Sequence, residues 1–97
     1  MDGLQIQVLC DQAAGFHQSG RLEEAARLYL QVIQADSRNF VAHHMLGILR
    51  AQQGHHGQAL ELIAAALQID PHSAEALSNY GNLLTMLGRS GESASAE

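Results

Sequence analysis

A shift of 34 residues brings the chain back onto itself, and that recurrence leaves little freedom in what it can fold into. Asp2, Asp36 and Asp70 share the offset, as do Gly20, Gly54 and Gly88, while Ala13, Gly47 and Gly81 form a third series of small residues. Ala25 and Ala59, Leu28 and Leu62, and Gln34 and Gln68 repeat between the first two units. Self-similarity at a fixed period of this length marks one supersecondary unit stacked on copies of itself, because no single unit buries its apolar face alone.

The middle unit shows what is repeated. Leu46 and Gly47 fall inside one apolar-periodic segment, Gly54 interrupts it, Ala59, Ile63 and Ala66 lie along a second segment, and Asp70-Pro71 closes it. The pattern reads as helix, tight turn, helix, stop. Small residues at Gly47 and Ala59 let two helix backbones approach, with Ile63 and Leu67 filling the space beside them. Gly54 permits the turn, and Pro71 cannot continue the helix. The spacing predicts five helices. The first covers 3–18 and is capped by Asp2, the second starts at Arg21 or Leu22 and ends near Ala35, and the third is capped by Asp36 and ends at Gln53. The core of the fourth covers 58–69, and Asp70-Pro71 opens a fifth that ends at Leu87. After Gly88 the pattern predicts the start of a further helix that stops partway, or a short cap over residues 91–97.

This organisation resembles the tetratricopeptide repeat (TPR), whose signature is W-x2-L-G-x2-Y…A-x3-F…P. Leu46, Gly47, Ala59 and Pro71 match it, with His43, Arg50 and Ile63 in place of the tryptophan, tyrosine and phenylalanine. The first unit supplies Leu9, Ala13, Phe16, Ala25 and Tyr29, with Ser37 at the proline position; the third supplies Leu77, Tyr80, Gly81 and Leu84, with Ser93 at the alanine. The resemblance implies an all-α, right-handed helix-turn-helix solenoid of about two and a half repeats in one domain. Its units fall near 3–36, 37–70 and 71–97, the last incomplete.

In such a stack the first helix of each unit lines the concave side, so the offset names its rows. One row is Cys10, His44 and Ser78; the next is Asp11, Met45 and Asn79; a third is Ala14, Ile48 and Asn82. Gln7 and Val41 flank one end, Gln52 and Met86 the other. Val41, Met45 and Ile48 suit an apolar side chain, and Asn79 and Asn82 suit a peptide backbone, since an amide both donates and accepts. Three helices at about 8–10 Å spacing span roughly six to eight extended residues. Contact of that size implies transient, roughly micromolar binding. On the fifth helix, Leu77, Tyr80, Leu84 and Leu87 form a face with no partner in this stretch of sequence. Leaving such side chains wet forfeits about 1.5–3 kcal/mol each, against a domain stability of about 5–15 kcal/mol. A longer array or self-association is the expected remedy.

The TPR domains that clamp a chaperone's C-terminal carboxylate carry lysine or arginine on the inner rows; positions 10, 11, 44 and 45 are Cys, Asp, His and Met, which implies no such clamp here. The run from Ala76 to Leu84 resembles repeats in the superhelical arm of O-linked N-acetylglucosamine transferases, where inner asparagines grip substrate backbone. Asn79 matches that ladder, whereas Asp11 and Met45 do not.

Composition narrows the function classes. The chain is acidic, with a formal charge of −5, and its five basic residues are all arginines, which argues against nucleic acid and anionic membranes as partners. The single Cys10 excludes an internal disulfide. The longest apolar run, 62–67, is too short to cross a bilayer, and a cytoplasmic location is expected. Among the six histidines no pair sits four apart, although Cys10, His44 and Asp11 invite a zinc hypothesis; no metal or other cofactor is expected. Nucleophile elbows, phosphate loops and H-E-x-x-H are absent. The sequence therefore predicts a non-catalytic interaction module that binds an extended peptide or its own copy. The alternative is the N-terminal substrate-recruiting arm of a larger enzyme, with a glycosyltransferase the enzyme that the resemblance implies.

Overall fold

Two kinds of turn, each recurring at the 34-residue offset, set the architecture. In a computed structural model, which describes the backbone of residues 2–95 and the side chains of residues 2–88, five helices follow one another. They are α1 (Gly3–Gln18), α2 (Leu22–Ala35), α3 (Phe40–Gln52), α4 (His56–Ile69) and α5 (Ala74–Ser95), with no strand among the described residues. Each helix packs on the next, and α1, α3 and α5 also touch along one side. The result is an α-helical solenoid whose inner wall is α1, α3 and α5.

Within a unit the turn is a Schellman closure. Gly20 and Gly54 adopt φ of +80° and +87°, a conformation open to glycine at little cost. Beside them the Arg21 amide bonds the Phe16 carbonyl and the Gly20 amide the His17 carbonyl; His55 and Gly54 repeat this on Arg50 and Ala51. Between units the turn is built on aspartate. Asp36 and Asp70 end α2 and α4, and their carboxylates accept from the amides of Arg38 and His72 two residues on.

That geometry corrects two of the expected caps. Asp2 does cap α1, in a reciprocal box with Gln5. Asp36 and Asp70 do not start helices, because their side chains are used in the preceding turn. Asn39 and Ser73 take the role, accepting from the amides of Ala42 at 2.9 Å and Ala76 at 3.2 Å. Pro71 consequently lies in the turn rather than in the first turn of α5, and α4 starts at His56, ahead of the expected core.

A third expectation also fails: α5 runs through Gly88 instead of breaking there. The residues beyond Gly88 carry no apolar side chain larger than alanine. Folding them back would cost chain entropy and bury little apolar surface, so continuing the helix is cheaper.

The core takes in the apolar positions named above, Ala13, Ala25, Tyr29, Leu46, Ala59 and Ile63, and adds Ala42, Leu49, Ala76 and Leu83, which the pattern does not single out. Ala13, Ala25, Tyr29, Val32, Ala42, Leu46 and Leu49 join α1, α2 and α3; Ala59, Ile63, Ala76 and Leu83 join α4 to α5. His43, at the tryptophan position, is buried and held by its Nδ1 donating to the Asn39 carbonyl at 2.9 Å.

The tightest approach is at Gly47. A Cβ there would stand 2.6 Å from Ile63 Cγ1 and 3.3 Å from the Ala59 carbonyl oxygen, whereas one on Gly81 would meet nothing within 4 Å. Overpacking costs about 1–3 kcal/mol, and alanine gains about 1 kcal/mol over glycine inside a helix. Gly47→Ala is therefore expected to lower the denaturation midpoint and Gly81→Ala to raise it. Equal shifts in urea titrations of the two variants would contradict the close approach.

Candidate functional site

The inner wall is tied together by two histidine–amide pairs, each joining residues one repeat plus one position apart. His17 on α1 donates from Nε2 to Gln52 Oε1 on α3 at 2.6 Å. Asn79 on α5 donates from Nδ2 to His44 Nε2 on α3 at 3.0 Å. The His44 ring also packs against Phe40, tilted by 48° with centroids 5.3 Å apart. Asn79 accordingly covers His44.

Between α3 and α5 lies a groove of about 240 Å³, lined by Ile48, Ala51, Gln52, His56, Ile63, Asn79, Asn82, Leu83 and Met86. Its floor is apolar and its rim carries amides. The volume falls below the about 300–1,000 Å³ of small-molecule pockets, which suits one apolar side chain better than a cofactor.

Five of the concave-face candidates meet here: Ile48, Gln52, Asn79, Asn82 and Met86. The others are spread out. Gln7 bonds Asp11 at 2.9 Å on exposed α1, Val41 is exposed above a shallow hollow shared with Gln7 and Cys10, and Met45 is half-buried against the first core cluster. Cys10 and His44 are buried, which takes them off the accessible surface. The cause is the slant between neighbouring helices. A residue of the first row is covered by the second row of the next unit, as His44 is by Asn79, and Ser78 stays exposed because no unit follows it in the described residues. Burial, then the charge of Asp11, pushes the Cys10 thiol above its usual range, so it stays protonated. Among the described residues no three His, Cys, Asp or Glu side chains are placed to hold a metal.

Sequence reasoning missed Ala51, His56, Ile63 and Leu83 in the groove. His56 opens α4, and its Nδ1 is buried without a partner. On the outer side of α5, Leu77 and Leu84 are 50% and 46% exposed, while Leu87 is half-buried and Tyr80 packs partly against the second core cluster. Leu4 and Val8 form a further exposed apolar pair on α1 that the sequence reading passed over. No helix of the described residues is long and apolar enough to cross a membrane.

Comparison with known proteins gives these features a setting. The tetratricopeptide repeat family matches over residues 50–95. Protein O-mannosyl-transferase TMTC1 of Mus musculus is 30% identical over 59 residues, 61% of this chain and 6% of that protein. An O-GlcNAc transferase of Thermobaculum terrenum superposes with a TM-score of 0.78 at 33% identity, over 81% of this chain and 15% of that one. The chain thus spans a small part of either enzyme. The second TPR of Spaghetti (RPAP3), solved with an HSP90 peptide, has a TM-score of 0.83 at 24% identity over 88% of this chain and 79% of its own, a likeness of fold.

Burial holds His44 below the usual imidazole value of 6.5, an effect that the charge of Glu75 opposes. The folded state therefore favours the neutral ring. As pH falls through 6.5 the unfolded chain takes up its proton first, so this contribution is present above 6.5 and is lost as pH falls through the lower folded-state value. Urea midpoints measured across that range are expected to fall toward acid, less steeply in His44→Gln; parallel curves would remove the assignment.

Proposed function

Because this chain is a tetratricopeptide-repeat protein, we propose that it is a protein-binding module whose α3–α5 groove takes one apolar side chain of an extended peptide. The observation that carries this reading is the pairing of an apolar floor with rim amides from Gln52, Asn79 and Asn82. Ile48, Ile63, Leu83 and Met86 desolvate the side chain, and the amides bond the adjoining backbone. Among the described residues no lysine or arginine lines the groove, so a terminal carboxylate or a phosphate meets no guanidinium or ammonium group from them. Neutral, internal peptide segments are the fitting ligands.

Selection from a random heptapeptide library on the immobilised protein tests this. The recovered peptides are expected to bind in about the micromolar range. Ile48→Asp puts an unpaired charge on the floor and is expected to weaken them at least tenfold, since an uncompensated charge costs more than about 1.4 kcal/mol. Asn82→Ala removes one hydrogen bond, worth about 0.5–1.5 kcal/mol, and is expected to weaken them about two- to tenfold. Leu77→Ser, on the opposite face of α5, is expected to leave them unchanged. Peptides indifferent to Ile48→Asp would place the site elsewhere.

A second reading is favoured by the 33% identity to the O-GlcNAc transferase over 81% of the chain: these repeats recruit substrate for a larger glycosyltransferase. Immunoblotting of source cells separates the two. A native polypeptide well above 10.4 kDa fits the recruiting arm, with further repeats covering Leu77 and Leu84. One near 10.4 kDa removes it and leaves that face to a second copy, in which case light scattering is expected to show a mass that rises with concentration.

A further inference from the structure

The two histidine–amide pairs fix their amides in opposite senses. In the His17–Gln52 pair the amide carbonyl is engaged, which leaves Gln52 Nε2 free to donate. In the His44–Asn79 pair the amide nitrogen is engaged, which leaves Asn79 Oδ1 free to accept. Gln52 and Asn79 both line the α3–α5 groove. We propose that His17 and His44 are positioning residues that set the polarity of this groove, so that an extended peptide binds in one direction, its carbonyl toward Gln52 and its N–H toward Asn79. The inference rests on the reading of the groove as a peptide site.

The two pairs respond differently to acid. His17 already donates, so a second ring proton leaves its bond intact. His44 accepts, and a proton on Nε2 sets two donors against each other. The Asn79 amide then turns over, its carbonyl accepts a hydrogen bond from the new Nε2–H, and its nitrogen faces the groove. The acceptor has become a donor. Titratable groups on the surrounding elements include Glu75 on α5, Cys10 and Asp11 on α1, Tyr29 on α2, His43 on α3 and His56 on α4. Of these, Glu75 acts on His44 by charge and favours the protonated ring.

Nitrogen-15 NMR of the ring and amide side chains tests the assignment on the free protein. Near about pH 7.5 the His44 Nε2 signal is expected at the position of an unprotonated ring nitrogen and the His17 Nε2 signal at that of a protonated one. On acidification to about pH 5, the range in which imidazole titrates, the Asn79 amide signals are expected to move with His44 while those of Gln52 stay with His17. His44→Gln, whose carbonyl accepts from Asn79, is expected to keep the neutral-pH Asn79 signals at both pH values; His44→Leu is expected to lose them. A protonated His44 Nε2 at neutral pH, or Asn79 signals unchanged in His44→Leu, overturns the inference.

N-methylacetamide, a single peptide unit, then probes the groove at neutral pH beside N,N-dimethylacetamide, which has no N–H. The first is expected to shift the Asn79 and Met86 signals more than the second. Equal shifts overturn the acceptor role of Asn79. Shifts from neither overturn the groove as a peptide site, and the inference with it, whatever the ring tautomers show.

Discussion

The approach of α3 to α4 at Gly47 is the contact on which the rest of the structure depends. With no side chain at Gly47, Ile63 lies against the α3 backbone, and Ala59, Ala76 and Leu83 close around it. Ile63 also floors the groove. One close approach therefore serves two ends, seating α5 and shaping the cavity beside it. Any added atom at Gly47 moves Ile63, and through Ile63 both the packing of α5 and the groove.

In the proposed peptide site two kinds of force divide the work. Apolar surface supplies attraction without direction, in proportion to the area removed from water. Amides supply direction with little net energy, because each bond to a peptide replaces one to water. The proposed peptide site would on this basis hold many sequences loosely and in a common orientation. Glu75, whose charge acts on His44, is not among the groove-lining residues.

Much of the fold was legible because repetition multiplies weak signals. Gly20 and Gly54 as turn residues, Gly47 as a close approach, and the inward positions Ala25, Tyr29 and Val32 all follow from periodicity and residue size. The caps at Asn39 and Ser73 were obscured because Asp2, Asp36 and Asp70 share an offset yet do different things. Asp2 meets a helix start, whereas the other two are held in turns that a helix has just entered. The break expected at Gly88 failed because glycine permits a turn and only apolar burial makes one favourable. Five residues named from the rows line the α3–α5 groove, but rows treat neighbouring helices as parallel rulers. The slant that carries Asn79 over His44, and so buries His44, is a property of packing; in sequence its trace is a spacing of 35 between histidine and amide, present twice.

The turns bear on how such a chain changes over generations. Each Schellman closure is completed by residues of its own unit, and each aspartate turn by residues within a few positions of the boundary. The backbone bonds of these junctions are local, and the side-chain bond from Gln53 Nε2 to Glu23 Oε1 at 3.0 Å is one that reaches from a turn to the neighbouring unit. A duplication or deletion of 34 residues in the coding sequence thus leaves the backbone bonds of every remaining turn whole, with the cost confined to the newly joined faces. Length can vary by whole units while the grammar of each unit stays the same, and the histidine–amide pairs, which cross unit boundaries, are the features that such an event would re-pair.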